Sequence, residues 1–287
     1  MPVFPAPAKI NLFLHVTGRR ADGYHTLQTL FQLLDYGDEI AIDVTDDGRI
    51  ERIGEVAGVA ADSDLTLRAA RLLQTYVGTA RGARIGLRKR IPIGGGLGGG
   101  SSDAATTLIA LNRLWGLHRP RAELAALGLK LGADVPVFVH GHTAWAEGVG
   151  ELLTPVTLPE QWYVVLAPPV AVSTAAVFAG LQLTPYSPAI TIRAFQTGQT
   201  RNDLEPTVRA QYPAVDAALR WLAQFGAARM SGSGACVFVP VASAEAGRQI
   251  LGQAPIAGFV ARSLNQHPID GRVSEPTPRL PPGESEG

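Results

Sequence analysis

Residues 91–105 read IPIGGGLGGGSSDAA, a run in which six glycines precede two serines and an aspartate. Apolar side chains then recur every three or four residues at Ala104, Leu108, Leu111 and Trp115, which predicts an amphipathic helix. A helix start carries free backbone N–H groups and a positive dipole end, and glycine lets an anion approach the backbone closely. The run therefore predicts a phosphate site, with a flexible loop and an ordinary serine cap, Ser101 or Ser102, as the alternative.

Three familiar glycine-rich loops do not fit this run. No lysine precedes the serine pair, which excludes a Walker A loop. Gly94, Gly96 and Gly99 match the dinucleotide spacing, but no strand ending in an acid follows about twenty residues later, as that fold requires. The glycine loop of protein kinases joins two strands, whereas this one opens a helix.

The composition narrows the class of protein. Lys plus Arg and Asp plus Glu both number 25, so the formal net charge is zero and the composition argues against a nucleic-acid partner. Apolar residues make up 46% of the 287, which is typical of a globular chain. No apolar run is long enough to predict a membrane span, and the start MPVFPAPAKINL does not resemble a signal peptide. With one cysteine, Cys236, we expect a cytoplasmic protein.

Strand and helix patterns alternate along the chain, which indicates the α+β class. Polar and apolar residues alternate over 8–16 as in a strand, and helical spacing follows over 64–77, where Asp64 is placed to cap. Other helices are predicted near 120–131, 174–181, 190–196, 213–225 and 244–252, and strand-rich stretches near 138–146, 162–169 and 230–241. The tail EPTPRLPPGESEG is predicted to be disordered.

Several motifs together resemble one known family. The chain is similar, in the same order, to the 4-diphosphocytidyl-2-C-methyl-D-erythritol kinases, which belong to the small-molecule kinases named after galactokinase, homoserine kinase, mevalonate kinase and phosphomevalonate kinase (GHMP kinases). The matching segments are PAPAKINLFLHVTGRRADGYHTLQTLFQ at 5–32, IPIGGGLGGGSSDAATTL at 91–108, LGADVPVFVHG at 131–141, NDLEP at 202–206 and SGSGACVF at 231–238. The glycine loop and SGSGA indicate only the superfamily, whereas PAKINL with DGYH is narrower.

The resemblance implies a two-domain α+β GHMP-kinase fold with the active site in the cleft between the domains. The implied units are an ATP-binding domain over 1–156, a second α+β domain over 157–274 and a disordered tail over 275–287. The phosphates of ATP would be wrapped by a phosphate loop of the protein. This loop consists of Pro92, Ile93, Gly94, Gly95, Gly96, Leu97, Gly98, Gly99, Gly100, Ser101 and Ser102.

The catalytic pair implied by the resemblance is Lys9 and Asp134. From the residues alone, a cap before Pro136 is the favoured role for Asp134, and a solvent-facing strand position is the favoured one for Lys9. By resemblance, Asp134 accepts the proton of the substrate hydroxyl, and Lys9 keeps that carboxylate ionised.

The resemblance also implies the residues that recognise the acceptor. Tyr24 and His25 would recognise the cytidine end, Thr174 and Phe178 would close over it, and Asn11 would contact the substrate from the strand that carries Lys9. From the residues alone, Tyr24 and His25 are also consistent with a plain Asp-Gly turn. SGSGACVF would support the phosphate site, or simply form a glycine turn before a buried strand.

The implied reaction moves the γ-phosphoryl group of ATP to the 2-hydroxyl of 4-diphosphocytidyl-2-C-methyl-D-erythritol. No cluster of His, Asp and Glu predicts a metal site built by the protein, so we expect Mg²⁺ to arrive with ATP. Asp103 would place a negative charge near the polyphosphate, which is unfavourable unless a cation intervenes; water-mediated Mg²⁺ is one hypothesis. The expected partner is this small molecule alone, and the chain is expected to be a monomer or a homodimer.

Overall fold

A computed structural model of the chain describes residues 1–181, 186–196 and 200–271. The tail 275–287 and the last residues of the predicted second domain lie outside the described residues. The described part contains strands and helices in an interleaved order.

The strands lie in both halves of the chain. They are β1 (Val3–Arg19), β2 (His25–Thr45), β3 (Ile50–Ile53), β4 (Gly82–Arg88), β5 (Ala144–Glu147), β6 (Leu152–Pro155), β7 (Trp162–Leu166), β8 (Arg229–Met230), β9 (Val237–Val241) and β10 (Gly258–Leu264). The helices are α1 (Leu65–Val77), α2 (Gly99–Leu114), α3 (Arg121–Leu129), α4 (Val135–His140), α5 (Thr174–Ala179), α6 (Ile192–Gln196), α7 (Glu205–Gln211), α8 (Pro213–Leu222), α9 (Ala244–Leu251) and α10 (Pro268–Gly271).

One mixed sheet connects the two halves of the chain. Its strand order is β3-β4-β2-β10-β7-β9-β8, with β1 and β5 also paired to β2 and β6 paired to β5. Strand β10 joins the halves, because it pairs with β7 and also, through Ser263 and Leu264, with β2. The α+β class is confirmed, while the domain boundary near residue 156 stays a prediction.

Strand β1 is irregular where its polar residues lie. It pairs antiparallel with β2, and the register shifts between Pro7 and Lys9 and again between Asn11 and Leu14. Such bulges bend a strand and turn its side chains in new directions. Lys9 and Asn11 lie between the two shifts, and since they are two residues apart they share one face of the strand.

Apolar clusters lie on both sides of β1. Helices α1 to α4 pack into one core with β2 and β4, while α7 and α8 pack into another with β7 and β9. A further cluster that includes Phe13, Ile91, Leu97 and Cys236 lies where the glycine run meets the strands. The glycine run is therefore anchored at Ile91 and Leu97, both almost fully buried.

Most predicted elements are confirmed. Asp64 caps α1 by accepting the Thr66 N–H at 2.9 Å, and Gly78 ends that helix in the left-handed conformation. The predicted strand that begins at residue 138 is wrong at its start, because 135–140 form α4. Pro136 in the first turn and Gly141 at the C-cap favour that short helix despite its β-branched residues. Helices α7 and α10 were not predicted at all.

Candidate active site

The glycine run adopts a backbone that other residues resist. Gly94, Gly96 and Gly98 have φ angles of 71°, 73° and 70°, in the left-handed region. At Gly96 space is also lacking, since a Cβ atom there would lie 2.2 Å from the carbonyl oxygen of Ser231. The loop therefore needs glycine both for its conformation and for its close approach to the turn that contains Ser231 (the Ser231 turn).

Helix α2 begins without a side-chain cap. Its N-cap is Gly98, and the N–H of Ser102 makes the first helical bond, to the Gly98 oxygen at 2.8 Å. The predicted serine cap is therefore wrong: Ser101 lies in the first turn, and the Ser102 side chain is fully buried. The N–H groups of the first turn remain directed outward at the positive end of the helix, which is the arrangement that binds anions.

Lys9 and Asp134 form an ion pair at this helix start. The Lys9 ammonium lies 3.2 Å from the Asp134 carboxylate, and it donates to Asn11 Oδ1 at 2.6 Å and to the Gly96 oxygen at 3.0 Å. Lys9 is 3% exposed, so the solvent-facing alternative is wrong. A buried ammonium with three oxygen partners is held in one position.

Asp134 occupies the N-cap position of α4 but does not cap it. The structure gives its side chain no hydrogen bond to the helix backbone, and its carboxylate faces Lys9 instead. The Asp134 side chain is 33% exposed, compared with 3% for Lys9. The carboxylate is thus the member of the pair that an incoming hydroxyl can reach.

A second charged cluster lies beneath the phosphate loop. The Lys89 ammonium lies 2.8 Å from Asp103 Oδ2 and 2.5 Å from Asp38 Oδ2, while Asp38 Oδ1 also accepts the N–H groups of Arg90 and Ile91. The cation beside Asp103 is thus the Lys89 ammonium, whereas water-mediated Mg²⁺ at Asp103 stays a hypothesis. The cluster connects β2, the residues before the loop and the first turns of α2.

Two carboxylates share this one ammonium, so the cluster carries an excess negative charge when fully ionised. Burial raises the pKa of Asp103 to about 8, although the Lys89 ammonium acts in the opposite direction. Burial also lowers the pKa of Lys89, but the Asp103 and Asp38 carboxylates outweigh it and raise the pKa overall. Both pKa shifts favour the protonated forms of Asp103 and Lys89. The net charge of the buried cluster is then closer to zero.

The residues predicted for the cytidine end lie partly together. The rings of His25 and Phe178 stack with centroids 5.3 Å apart, and the hydroxyls of Thr174 and Ser233 share a hydrogen bond at 2.7 Å. Burial, and then the nearby Arg19, lowers the pKa of His25, which favours the neutral imidazole. The Tyr24 side chain differs, since it is 68% exposed beside the Asp-Gly turn.

One cleft of about 540 Å³ brings most of the predicted site together. Its walls come from both halves of the chain. The predicted residues that line it are Lys9, Asn11, Pro92, Ile93, Gly94, Gly95, Gly96, Leu97, Gly98, Gly99, Gly100, Ser101, Asp134, Thr174 and Phe178. Ser102, Tyr24 and His25 lie outside this lining, although His25 contacts it through Phe178.

Several polar residues in and behind this cleft were not predicted from the sequence. Thr29 accepts the Asn11 side-chain amide at 2.9 Å, and Ser231 donates to the Gly96 oxygen at 2.9 Å. Asn202 holds the Ser231 turn by donating hydrogen bonds to the carbonyl oxygens of Met230 and Gly232. NDLEP and SGSGA were recognised as motifs, but nothing in their spacing indicated that Asn202 would bind Met230 and Gly232, or that Ser231 would meet the glycine loop.

Neither metal ligands nor membrane helices stand out in the described ranges. Within 1–181, 186–196 and 200–271, no group of three His, Cys, Asp or Glu residues is arranged to hold a metal ion. Over the same ranges, every helix is too short or too polar to cross a bilayer.

Comparison with known proteins identifies the family. The N-terminal domain model of the GHMP kinases matches residues 64–142, and the C-terminal domain model matches 188–258. The 4-diphosphocytidyl-2-C-methyl-D-erythritol kinase of Thiobacillus denitrificans is 59% identical over 274 residues, which cover 95% of this chain and 99% of the relative.

Solved structures agree with that match. A crystal structure of 4-(cytidine 5'-diphospho)-2C-methyl-D-erythritol kinase superposes with a TM-score of 0.81 at 34% identity, covering 91% of this chain and 99% of the other. Methanococcus jannaschii mevalonate kinase, at 18% identity and a TM-score of 0.67, covers 92% of this chain and 98% of its own, and shares the fold. The chain belongs to the 4-diphosphocytidyl-2-C-methyl-D-erythritol kinases, within the GHMP kinase family.

Proposed function

We propose that the chain transfers the γ-phosphoryl group of ATP to the 2-hydroxyl of 4-diphosphocytidyl-2-C-methyl-D-erythritol, giving the 2-phosphate and ADP. The observation that carries this proposal is the Lys9–Asp134 pair, 3.2 Å apart, in the same cleft as the uncapped start of α2. The product belongs to the non-mevalonate route to isopentenyl diphosphate. Family membership supports the choice of acceptor.

The phosphates of ATP fit the glycine loop and the first turn of α2. The loop lacks side chains at Gly94 to Gly96, so main-chain groups form the surface that a polyphosphate meets. The helix start adds outward N–H groups and a positive potential. Together these features hold the anionic end of the nucleotide with its terminal phosphorus toward Lys9.

Mg²⁺ is expected as part of the substrate, bound to the phosphates of ATP. Asp103 lines the cleft, but the residue is 2% exposed and its Oδ2 contacts the Lys89 ammonium at 2.8 Å, which argues against direct coordination of Mg²⁺ by that oxygen. Mg²⁺ on the phosphates would neutralise charge that develops during transfer. The chain's own residues supply the positioning and the proton acceptor.

The phosphoryl transfer itself needs little covalent chemistry from the protein. The acceptor oxygen forms a bond to the γ-phosphorus while the bond from that phosphorus to the β–γ bridging oxygen breaks. The proton of the hydroxyl passes to the Asp134 carboxylate. Lys9 keeps that carboxylate oriented and stabilises negative charge on the attacking oxygen through its ammonium.

The acceptor's cytidine end would lie at the His25–Phe178 stack. A pyrimidine presents a flat face that stacks on an aromatic ring, and the neutral His25 imidazole can both donate and accept a hydrogen bond. Asn11 and Thr174, which both line the cleft, would contact the parts between the base and the reacting hydroxyl. Tyr24 stays a predicted contact, although its ring is exposed.

A coupled assay of ADP release tests the function. The proposal expects ATP-dependent turnover of the cytidyl alcohol, and no comparable turnover of mevalonate or homoserine. Turnover of mevalonate or homoserine without turnover of the cytidyl compound would identify another GHMP activity. ATP binding without turnover of any acceptor would identify a nucleotide-binding protein that keeps only the fold.

A further inference from the structure

The segment NDLEP at 202–206 has a buried asparagine with every polar atom engaged. Asn202 is 5% exposed, and its Nδ2 donates to the carbonyl oxygens of Met230 at 3.0 Å and Gly232 at 2.7 Å. Its Oδ1 accepts the N–H of Leu204 at 2.9 Å. Two acceptors face the nitrogen and one donor faces the oxygen, so only one orientation of the amide satisfies all three contacts.

The turn that Asn202 holds contacts the phosphate loop directly. Ser231 lies between the two carbonyl groups that Asn202 binds, and its hydroxyl donates to the Gly96 oxygen at 2.9 Å. The same hydroxyl accepts the N–H of Asn11 at 3.2 Å. The Gly96 oxygen in turn accepts the Lys9 ammonium at 3.0 Å. A continuous series of hydrogen bonds therefore runs from Asn202 to the lysine of the catalytic pair.

The segment around Asn202 is itself fixed to the strand that carries Lys9. The N–H of Leu14 donates to Arg201 at 3.0 Å, and the N–H of Asp203 donates back to Leu14 at 2.8 Å. The Asp203 side chain also accepts the N–H of Val16 at 2.8 Å. Because 201–203 are bound to β1, the Asn202 amide has a fixed position relative to Lys9.

We propose that Asn202 is a positioning residue for phosphoryl transfer. Its amide holds the Ser231 turn through the carbonyl oxygens of Met230 and Gly232. Ser231 in turn keeps the Gly96 oxygen in contact with the Lys9 ammonium. This inference rests on the proposed function and extends it to a residue that does not touch either substrate. Loss of the amide donors frees the turn, and Lys9 then loses one of the oxygens that orient it toward the γ-phosphoryl group.

Two substitutions at position 202 separate hydrogen bonding from simple filling of space. Asn202→Asp keeps the shape but replaces the donating NH₂ with an oxygen, so a carboxylate would face the carbonyl groups of Met230 and Gly232. Asn202→Ala removes the group. We expect kcat to fall by roughly 10- to 100-fold in both variants, since small displacements of a positioned group have effects of this size. If Asn202 only fills space, Asn202→Asp should retain the wild-type kcat.

A matched asparagine controls for loss of stability. Asn265 also bridges the backbone, donating to the Leu158 oxygen at 2.8 Å and accepting the Leu158 N–H at 3.0 Å, but it does not line the cleft. Asn265→Ala should lower Tm while kcat stays within about twofold of wild type. A proportional loss of kcat in this control would show that lost stability alone explains the Asn202 effect.

A double-mutant cycle with Ser231→Ala tests the route of the effect. If Asn202 acts through Ser231, the double variant should have nearly the same kcat as the Ser231→Ala variant, because contacting residues in one network are not additive. Multiplying effects would overturn the proposed route. If the Asn202 variants do not fold, Ser231→Ala alone decides, and a kcat within about twofold of wild type overturns the inference.

The inference and the proposed function fail in different ways. A wild-type chain that releases no ADP with the cytidyl alcohol contradicts the proposed function. An active wild-type chain whose kcat is unchanged in Asn202→Ala contradicts only the role of Asn202. Measuring KM for ATP in each variant completes the comparison, because a positioning role predicts a larger effect on kcat than on KM.

Discussion

The hydroxyl of Ser231 donates a hydrogen bond to the carbonyl oxygen of Gly96 at 2.9 Å, and so joins the two glycine-rich turns of the chain. One turn comes from the first half of the sequence and the other from the second. Their contact is close enough that a Cβ atom at Gly96 would meet the Ser231 oxygen at 2.2 Å. The phosphate loop is thus shaped by a turn far from it in sequence.

Gly96→Ala should abolish most activity and destabilise the fold. Alanine is strained at a φ of 73°, and its methyl group would collide with backbone that cannot move as a flexible side chain can. Gly116→Ala is the matched control, because Gly116 has a φ of 70° but no atom within 4 Å of the added group. Thermal unfolding and ATP turnover should separate the two variants. The control should show only the backbone strain, about 1–2 kcal/mol, whereas Gly96→Ala should show the collision in addition. Equal losses in both would contradict the packing argument.

Asp134→Asn should lower kcat and leave nucleotide binding nearly intact. The amide keeps the size of the side chain but is a very poor proton acceptor, so a loss of about 10²–10⁴-fold is expected. Steady-state kinetics give kcat, and calorimetry with a non-hydrolysable ATP analogue gives the affinity. Full phosphoryl transfer by Asp134→Asn would mean that the carboxylate is not the proton acceptor.

Asp103 should make the stability of the protein depend on pH. Burial raises its folded pKa to about 8 from 3.8, so the folded state holds a proton more tightly than the unfolded chain. The stabilisation is fully present below about pH 4 and is lost as the pH rises through about 8. Asp103→Asn removes this linkage. Urea unfolding between about pH 5 and 8 should show a smaller decline in the free energy of unfolding for Asp103→Asn than for wild type; identical slopes would contradict the assignment.

Phe178→Ala should weaken binding of the cytidyl acceptor without changing KM for ATP. The ring stacks on His25 with centroids 5.3 Å apart, and aromatic pairs contribute about 0.5–1.5 kcal/mol, which is roughly 2- to 13-fold in KM. Phe225→Ala is the control, because Phe225 packs against Trp221 with the two rings tilted by 56° and does not line the cleft. An unchanged KM for the acceptor in Phe178→Ala would place the cytidine elsewhere.

Much of the local structure could be predicted from the sequence because the signals are local. Asp64 caps α1 as its spacing indicated, and the glycine run precedes a helix as predicted. The serine cap failed for a reason that spacing cannot reveal: Gly98 starts the helix earlier, so Ser102 is already inside it and buried. Helix boundaries depend on backbone angles that glycine leaves open.

Contacts between distant segments could not be predicted in the same way. The Lys9–Asp134 pair was expected only through resemblance, since residues on β1 and before α4 have no shared periodicity. Nothing in the sequence pattern linked Lys89 to Asp38 and Asp103. Nor did it link Asn202 to the Ser231 turn. These contacts depend on how β2 and the loops pack in three dimensions, which a pattern along one chain does not contain.

A crystal structure of the ternary complex tests the central claim most directly. With a non-hydrolysable ATP analogue and the cytidyl alcohol bound, the account predicts the 2-hydroxyl within hydrogen-bonding distance, about 3 Å, of the Asp134 carboxylate. It also predicts the γ-phosphate at the first-turn N–H groups of α2, beside Lys9. A hydroxyl pointing away from Asp134, or a triphosphate bound outside the glycine loop, would contradict it.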